Sequence, residues 1–216
     1  MYSWDSRGDT LAVDEPLYAH HLQKCPELYR PYRKQLLAEQ TTDGAAVLAK
    51  LCEGPQNSES ETILFAKHMA KQGIGLDVAK LTAAPTQRHI ILIRNPMKQL
   101  LSFAEKRMDT QAHGGTSLHE LALPQLVEIF HSLKSAAGVE PVVVDYDDLL
   151  AAPEKMLKAL CAQLRVKFDP AMLSWKAGPK SCDGLWAKYW SVLSYYQLLQ
   201  YPCACLTTAC INGATM

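Results

Sequence analysis

Apolar residues along this 216-residue chain fall into two kinds of pattern. The first is the short, uniformly apolar run: Thr62-Ile-Leu-Phe-Ala66, Ile90-Ile91-Leu92-Ile93 and Pro141-Val-Val-Val144, with Leu11-Ala-Val-Asp14 as a fainter version. Runs this short, rich in β-branched residues, suit strands buried on both faces of a parallel sheet. The second is apolar residues at helical spacing. They fall at Leu28, Leu36, Leu37, Val47, Leu48 and Leu51 across residues 25–51, and at Met97, Leu100, Leu101 and Ala104 after Pro96. Leu121, Leu126, Ile129, Phe130 and Leu133 repeat the pattern within residues 118–137, where Ser117 and Glu120 form a capping box. Shorter helices are predicted over 73–80 and from Ala151-Ala152-Pro153-Glu154 through Leu164, and residues 2–8 read as the end of a helix closed by Gly8 and Asp9. Pro31 and the turn Thr41-Thr42-Asp43-Gly44 interrupt the first helical stretch, and residues 54–60 and 109–117 are polar loops. Alternating strands and helices predict an α/β fold. Its parallel sheet would hold strands near 11–14, 62–66, 90–93 and 141–145, with helices on both faces.

The junction after the third strand carries the most chemistry. Asn95 is a good N-cap and Pro96 suits the first helical position, so Arg94 stands where a strand ends and a helix begins. Open α/β sheets bind ligands at that edge. Arg offers a rigid fork of donors matched to phosphate oxygens, the helix start adds free N–H groups, and Ser102 lies about two turns further on. The plainer alternative is an Arg94 paired with a carboxylate and a Ser102 that faces solvent. Two other spots hold reactive residues. Lys67 and His68 close the second strand, either as catalytic groups or as a solvated Lys and a His capping the next helix. Asp145, Asp147 and Asp148 follow the fourth strand; such carboxylates more often cap the next helix than hold a metal, and no metal is assigned.

Composition narrows the classes. Lys+Arg and Asp+Glu both number 22, so bulk charge favours neither nucleic acid nor an anionic membrane. No apolar run approaches the ~18 residues of a membrane span. The first residues, Met1 to Asp9, resemble neither a signal nor a transit peptide. Seven cysteines, odd in number and without CxxC spacing, read as reduced thiols of a cytoplasmic protein.

The Arg94-Asn95-Pro96 junction, with Ser102 eight positions after the Arg, resembles the 3′-phosphate-binding segment of sulfotransferases. These enzymes use 3′-phosphoadenosine 5′-phosphosulfate (PAPS). Two more landmarks follow in that family's order. Asp14-Glu15-Pro16-Leu17-Tyr18 resembles the second-strand end, which runs Glu-Pro-Leu. Gly178-Pro-Lys180-Ser-Cys-Asp-Gly184-Leu-Trp186-Ala-Lys188 resembles the C-terminal nucleotide loop, Arg-Lys-Gly-x-x-Gly-Asp-Trp-Lys. Lys180, Gly184, Trp186 and Lys188 match in type, while Pro179 and Ser181 replace Arg and Gly. The segment "strand, Tyr-Glu-Asp-Leu, Pro, helix, Leu-Gly" is matched from residue 141, with Asp147 for Glu and Arg165 for Gly.

The resemblance covers residues 1–190 and is nearest in look to plant sulfotransferase-like domains, some of which accompany an aminotransferase-like domain. It implies a P-loop-type α/β fold and in-line transfer of a sulfuryl group from PAPS, without a metal, to a hydroxyl or amine of a small-molecule acceptor. His68 would be the base that deprotonates the acceptor and Lys67 would neutralise charge on the sulfuryl group, although the cytosolic pattern sets one residue between them. Arg94, Ser102, Lys180, Gly184 and Trp186 would hold the nucleotide, Lys180 alternatively lying in a surface loop with a Trp packed on the core. The family's Gly/Ser-rich phosphosulfate loop does not occur in the sequence, and Met1-Tyr2-Ser3 matches the middle of the helix that follows it. The expectation is therefore a domain lacking its first strand and that loop. Residues 191–216 form an atypical tail, of which Tyr201 to Met216 carries three cysteines and no charge and is expected to be poorly ordered. Two other readings stay open: a non-catalytic remnant that binds nothing strongly or acts through protein contacts, and a nucleotide-kinase relative, which the Arg94/Ser102 spacing and the 178–188 loop oppose.

Overall fold

The structure, a computed structural model, describes residues 1–28, 30, 32–55, 62–82, 87–107, 121–137 and 140–183. The strands fall within two residues of their predicted places: β1 Thr10–Asp14, β2 Ile63–Lys67, β3 Ile90–Ile93 and β4 Val142–Asp145. All pairing is parallel. β1 and β2 run in register from Thr10↔Ile63 to Asp14↔Lys67, and β3 and β4 from Ile90↔Val142 to Ile93↔Asp145. The single expected sheet is replaced, among the described residues, by two separate two-stranded pairs. They meet through side chains instead of a ladder. Trp4 of helix α1 (Tyr2–Asp5) stacks on Phe65 of β2 at 4.8 Å and 12°, in a core that also holds Ile63, Ile90 and Val144. Burial on both faces holds for β2, where Ile63 through Ala66 are all buried. It fails for β4, where Val143 is 47% exposed, and at the end of β3, where Ile93 is 37% exposed.

The helical stretch expected over 25–51 is displaced and split into α2 Tyr18–Lys24, α3 Arg33–Glu39 and α4 Gly44–Cys52. Pro26, just past the Cys25 C-cap, prevents α2 from continuing, because proline has no N–H and clashes with the preceding turn. Asp43 starts α4 by accepting the N–H groups of Ala45 and Ala46 at 3.0 and 3.1 Å. Tyr18, Leu22 and Leu36 form a small core between α2 and α3, while Val47, Leu48 and Leu51 of α4 pack on Leu64 and Ala66. The helix predicted over 73–80 is two 3-10 turns, Ala70–Gly73 and Val78–Thr82.

Helix α5 spans Pro96–Arg107 and α6 Leu123–Ala137. Between β4 and α8 (Pro153–Leu164) lies a helix absent from the prediction, α7 Tyr146–Ala151. The acidic run caps it: Asp145 Oδ1 accepts the Asp147 N–H at 2.7 Å. Helix α8 buries Leu157, Leu160 and Leu164 in the main core and ends at Arg165, whose φ of 59° is left-handed. That conformation explains why a glycine suits this position. The Ser117/Glu120 capping box, the 109–117 loop, Gly184, Trp186 and the 191–216 tail lie outside the described residues.

Candidate nucleotide and acceptor site

The β3–α5 junction forms as its sequence dictates. Asn95 Oδ1 accepts the N–H groups of Met97 and Lys98 at 2.9 and 3.3 Å, so it caps α5. Arg94 is the last residue before that cap. The β3–β4 register pairs Ile93 with Asp145, which brings the next residues, Arg94 and Tyr146, side by side. The Arg94 guanidinium lies 4.7 Å from the Tyr146 ring centroid. Its Nε and Nη1 are buried and meet no hydrogen-bond partner among the described residues. The carboxylate partner of the plainer reading is thus absent among those residues; an aromatic face takes its place. Buried guanidinium N–H groups without an acceptor are costly on their own, and an anion satisfies them well.

One helical turn beyond the cap, Lys98 Nζ reaches Asp147 Oδ2 of α7 at 2.7 Å. Both partners are about half exposed, so the pair contributes little stability. Ser102 follows Lys98 by four residues and therefore shares its face of α5. Sequence reasoning missed Tyr146 and Lys98. The signal for Tyr146 was the strand register, which a single sequence does not print; Lys98 was legible from its four-residue spacing to Ser102.

At the end of β2, Lys67 and His68 have different fates. Lys67 Nζ lies 2.9 Å from Asp14 Oδ1 and 2.7 Å from Glu15 Oε1. Burial pushes the Asp14 carboxyl above its usual range despite Lys67. Burial works against Glu15 too, but Lys67 and the Gln72 amide outweigh it and hold that carboxyl below its usual range. Lys67 is therefore a part-buried, paired cation and not a solvated one. His68 is 4% exposed, and neither ring nitrogen has a hydrogen-bond partner among the described residues. It does not cap the following turn; Gln72 does, its Oε1 accepting the Met69 N–H at 3.1 Å. Burial lowers the His68 pKa to about 4, with Glu15 opposing and Lys67 and His89 adding to the fall. The ring is neutral at pH 7, the form that can take a proton.

Lys180 lies in a turn held against α1. Its N–H donates to Asp183 Oδ2 at 2.7 Å, and Tyr2 Oη donates to Asp183 Oδ1 at 2.6 Å, which fixes this turn against α1. Among the described residues, no group of three or more His, Cys, Asp or Glu side chains is placed to hold a metal ion, and no helix is long and apolar enough to cross a membrane.

Comparison with known proteins bears on most of the chain. A family model described as a sulfotransferase domain matches residues 1–197. Branched-chain-amino-acid aminotransferase-like protein 2 of Arabidopsis thaliana is 38% identical over 191 residues, and its homologue, protein 1, is 39% identical over 191. Each alignment covers 88% of this chain and 32% of the relative, so the chain spans about a third of the length of these curated relatives. Among solved structures, the sulfotransferase domain from the curacin biosynthetic pathway is 17% identical, with 86% of this chain and 69% of that one covered at a TM-score of 0.45. The match along most of its length shows that this chain belongs to the sulfotransferase domain family.

Proposed function

We propose that this chain serves sulfuryl transfer from PAPS to a hydroxyl or amine of a small-molecule acceptor, in the cytoplasm and without a metal. The observation that supports this most is Arg94: two buried guanidinium nitrogens without an acceptor, at a strand end that leads into a capped helix. That donor set fits a 3′-phosphate, and Ser102 on α5 adds a hydroxyl donor. Lys180, with Gly184 and Trp186 beyond the described residues, would complete the nucleotide contacts. PAPS, when bound, supplies the activated sulfuryl group. The chain's own residues hold the nucleotide and manage the acceptor's proton. Neutral His68 would receive that proton at a ring nitrogen, and Lys67, its charge taken up by Asp14 and Glu15, would hold Glu15 in place beside it.

A second reading has one observation in its favour. Lys67 is already engaged by Asp14 and Glu15, which suits a domain that binds a nucleotide or a protein partner without transferring a sulfuryl group. Calorimetry with adenosine 3′,5′-bisphosphate on the wild-type chain and on Arg94→Ala tests the site. Binding that drops at least tenfold in the variant is expected. Absent binding in both proteins, or equal binding in both, overturns the nucleotide reading. Acceptor-dependent release of the bisphosphate from PAPS then separates transfer from binding alone.

A further inference from the structure

We infer that Glu15 and Gln72 are positioning residues for His68, gripping the backbone on both sides of it so that its ring stands in one place. This rests on the reading of His68 as the proton acceptor. The grip begins at the end of β1. Glu15 has a φ of 46°, a left-handed conformation that non-glycine residues adopt at a cost, and Pro16 follows it. What holds it there is contact with the His68 segment. The Glu15 N–H donates to the Lys67 carbonyl at 2.8 Å, one step past the last register pair, Asp14↔Lys67. Its carboxylate takes Lys67 Nζ on Oε1 at 2.7 Å and Gln72 Nε2 on Oε2 at 2.7 Å. Gln72, wholly buried, completes the circuit by accepting the Met69 N–H at 3.1 Å. The residue before His68 is thus held by main chain and side chain, and the residue after it by main chain.

His68 needs such a grip because its own ring contributes none. Both ring nitrogens lack hydrogen-bond partners among the described residues, so the ring is aimed by its backbone and its packing. Strand pairing alone does not account for the network, since β1 and β2 are already joined over five register pairs. A buried ion pair adds little net stability either, and a strained residue at its centre subtracts from it. The charged and titratable groups that act on His68 are Glu15 at the end of β1, Lys67 on its own strand and His89 ahead of β3. Glu15 raises the His68 pKa, while burial, Lys67 and His89 lower it.

The test uses the full chain with Gln72→Leu and Glu15→Gln, read by NMR titration of the His68 ring and by amide exchange at Met69. Circular dichroism verifies that each variant is folded. In Gln72→Leu, Met69 exchange is expected to rise about tenfold or more, because its acceptor is gone. The His68 midpoint is expected to climb from about 4 as the loosened ring gains water. In Glu15→Gln the shape is kept and the charge is lost, so the His68 midpoint is expected to fall further. Folded variants that leave both the midpoint and Met69 exchange at wild-type values overturn the inference. If Gln72→Leu does not fold, the near-isosteric Glu15→Gln decides alone: its weaker hold on Lys67 and Gln72 is expected to speed Met69 exchange, and exchange at the wild-type value there overturns the inference. The titration needs no nucleotide. Lack of bisphosphate binding by the wild type would sink the proposed function and leave this result standing, and bisphosphate affinity is expected to be unchanged in both variants.

Discussion

Lowering the pH from 7 to 5 is expected to strip this fold of stability through two histidines. Burial, above all, holds His68 near a pKa of about 4, and burial with the nearby Arg88 does the same for His89. In the unfolded chain both return to the ordinary value of 6.5. Between those values the unfolded state binds protons that the folded state refuses, so stability is fully present above the unfolded value and is lost as pH falls toward the folded one. For one histidine the difference in proton binding amounts to about 2 kcal/mol at pH 5, and to about 3 kcal/mol at pH 4. Two such groups together remove about 4 kcal/mol by pH 5, a large share of the 5–15 kcal/mol typical of a domain.

His68→Leu isolates one of the two. Leucine fills similar space and removes two buried nitrogens that have no hydrogen-bond partner among the described residues. Urea unfolding followed by tryptophan fluorescence at pH 7, 6 and 5 gives the stability of each protein. The wild type is expected to lose about 4 kcal/mol across that range and His68→Leu about half as much, with no loss at pH 7. Parallel curves for the two proteins would show that His68 is not buried uncharged, and the picture of its environment would fail with it.

Two further substitutions probe the frame around the site. Gly44→Ala would place a Cβ 2.7 Å from Leu76 Cδ1 and 2.8 Å from the His20 ring, which is pinned near the Thr42 and Ile74 carbonyls at 3.1 and 3.0 Å. It is expected to destabilise by about 1–3 kcal/mol in chemical unfolding despite alanine's better helix propensity. Arg165→Gly, at the left-handed end of α8, is expected to raise stability by about 1 kcal/mol, seen as a higher midpoint of thermal unfolding; a lower midpoint would contradict the strain argument.

What the sequence made legible is what local chemistry decides. Ile63 to Ala66 read as a strand because four successive apolar residues have few other uses, and all four are buried. Asn95-Pro96 announced a helix start, and the Asn95 cap forms. Helix α2 stayed hidden because polar letters occupy its inner face: His20 and His21 are both buried there. Among the described residues, carbonyls from Thr42 and Ile74 accommodate His20, which no local pattern reveals. The candidate site divides in the same way. Arg94 was found from its junction, whereas Glu15 and Gln72 stand 57 residues apart and meet only because β1 and β2 pair. The division into two strand pairs was likewise illegible, since hydrophobic runs define strands but not their neighbours.

The charge count at the end of β2 limits how the chemistry can be shared. Lys67 brings one positive charge, Glu15 stays ionised beside it, and Asp14 is pushed toward its neutral form by burial. The cluster is then close to neutral, or net negative while Asp14 remains ionised. Neither state attracts an anion, and both leave Lys67 poorly placed to neutralise a sulfuryl group by itself. Arg94 differs in kind. Its neighbour is an aromatic ring, which attracts a cation without cancelling its charge, so the guanidinium remains available to an anion. On the proposed reading, anion binding and proton handling therefore fall to different strand ends: the first to Arg94 after β3, the second to His68 after β2. On this division Lys67 acts mainly as the counter-charge that keeps Glu15 ionised and in place. Lys67→Met should then disturb the His68 titration far more than it weakens binding of the 3′,5′-bisphosphate. The opposite ranking, measured on the same protein by NMR and calorimetry, would return Lys67 to the anion site.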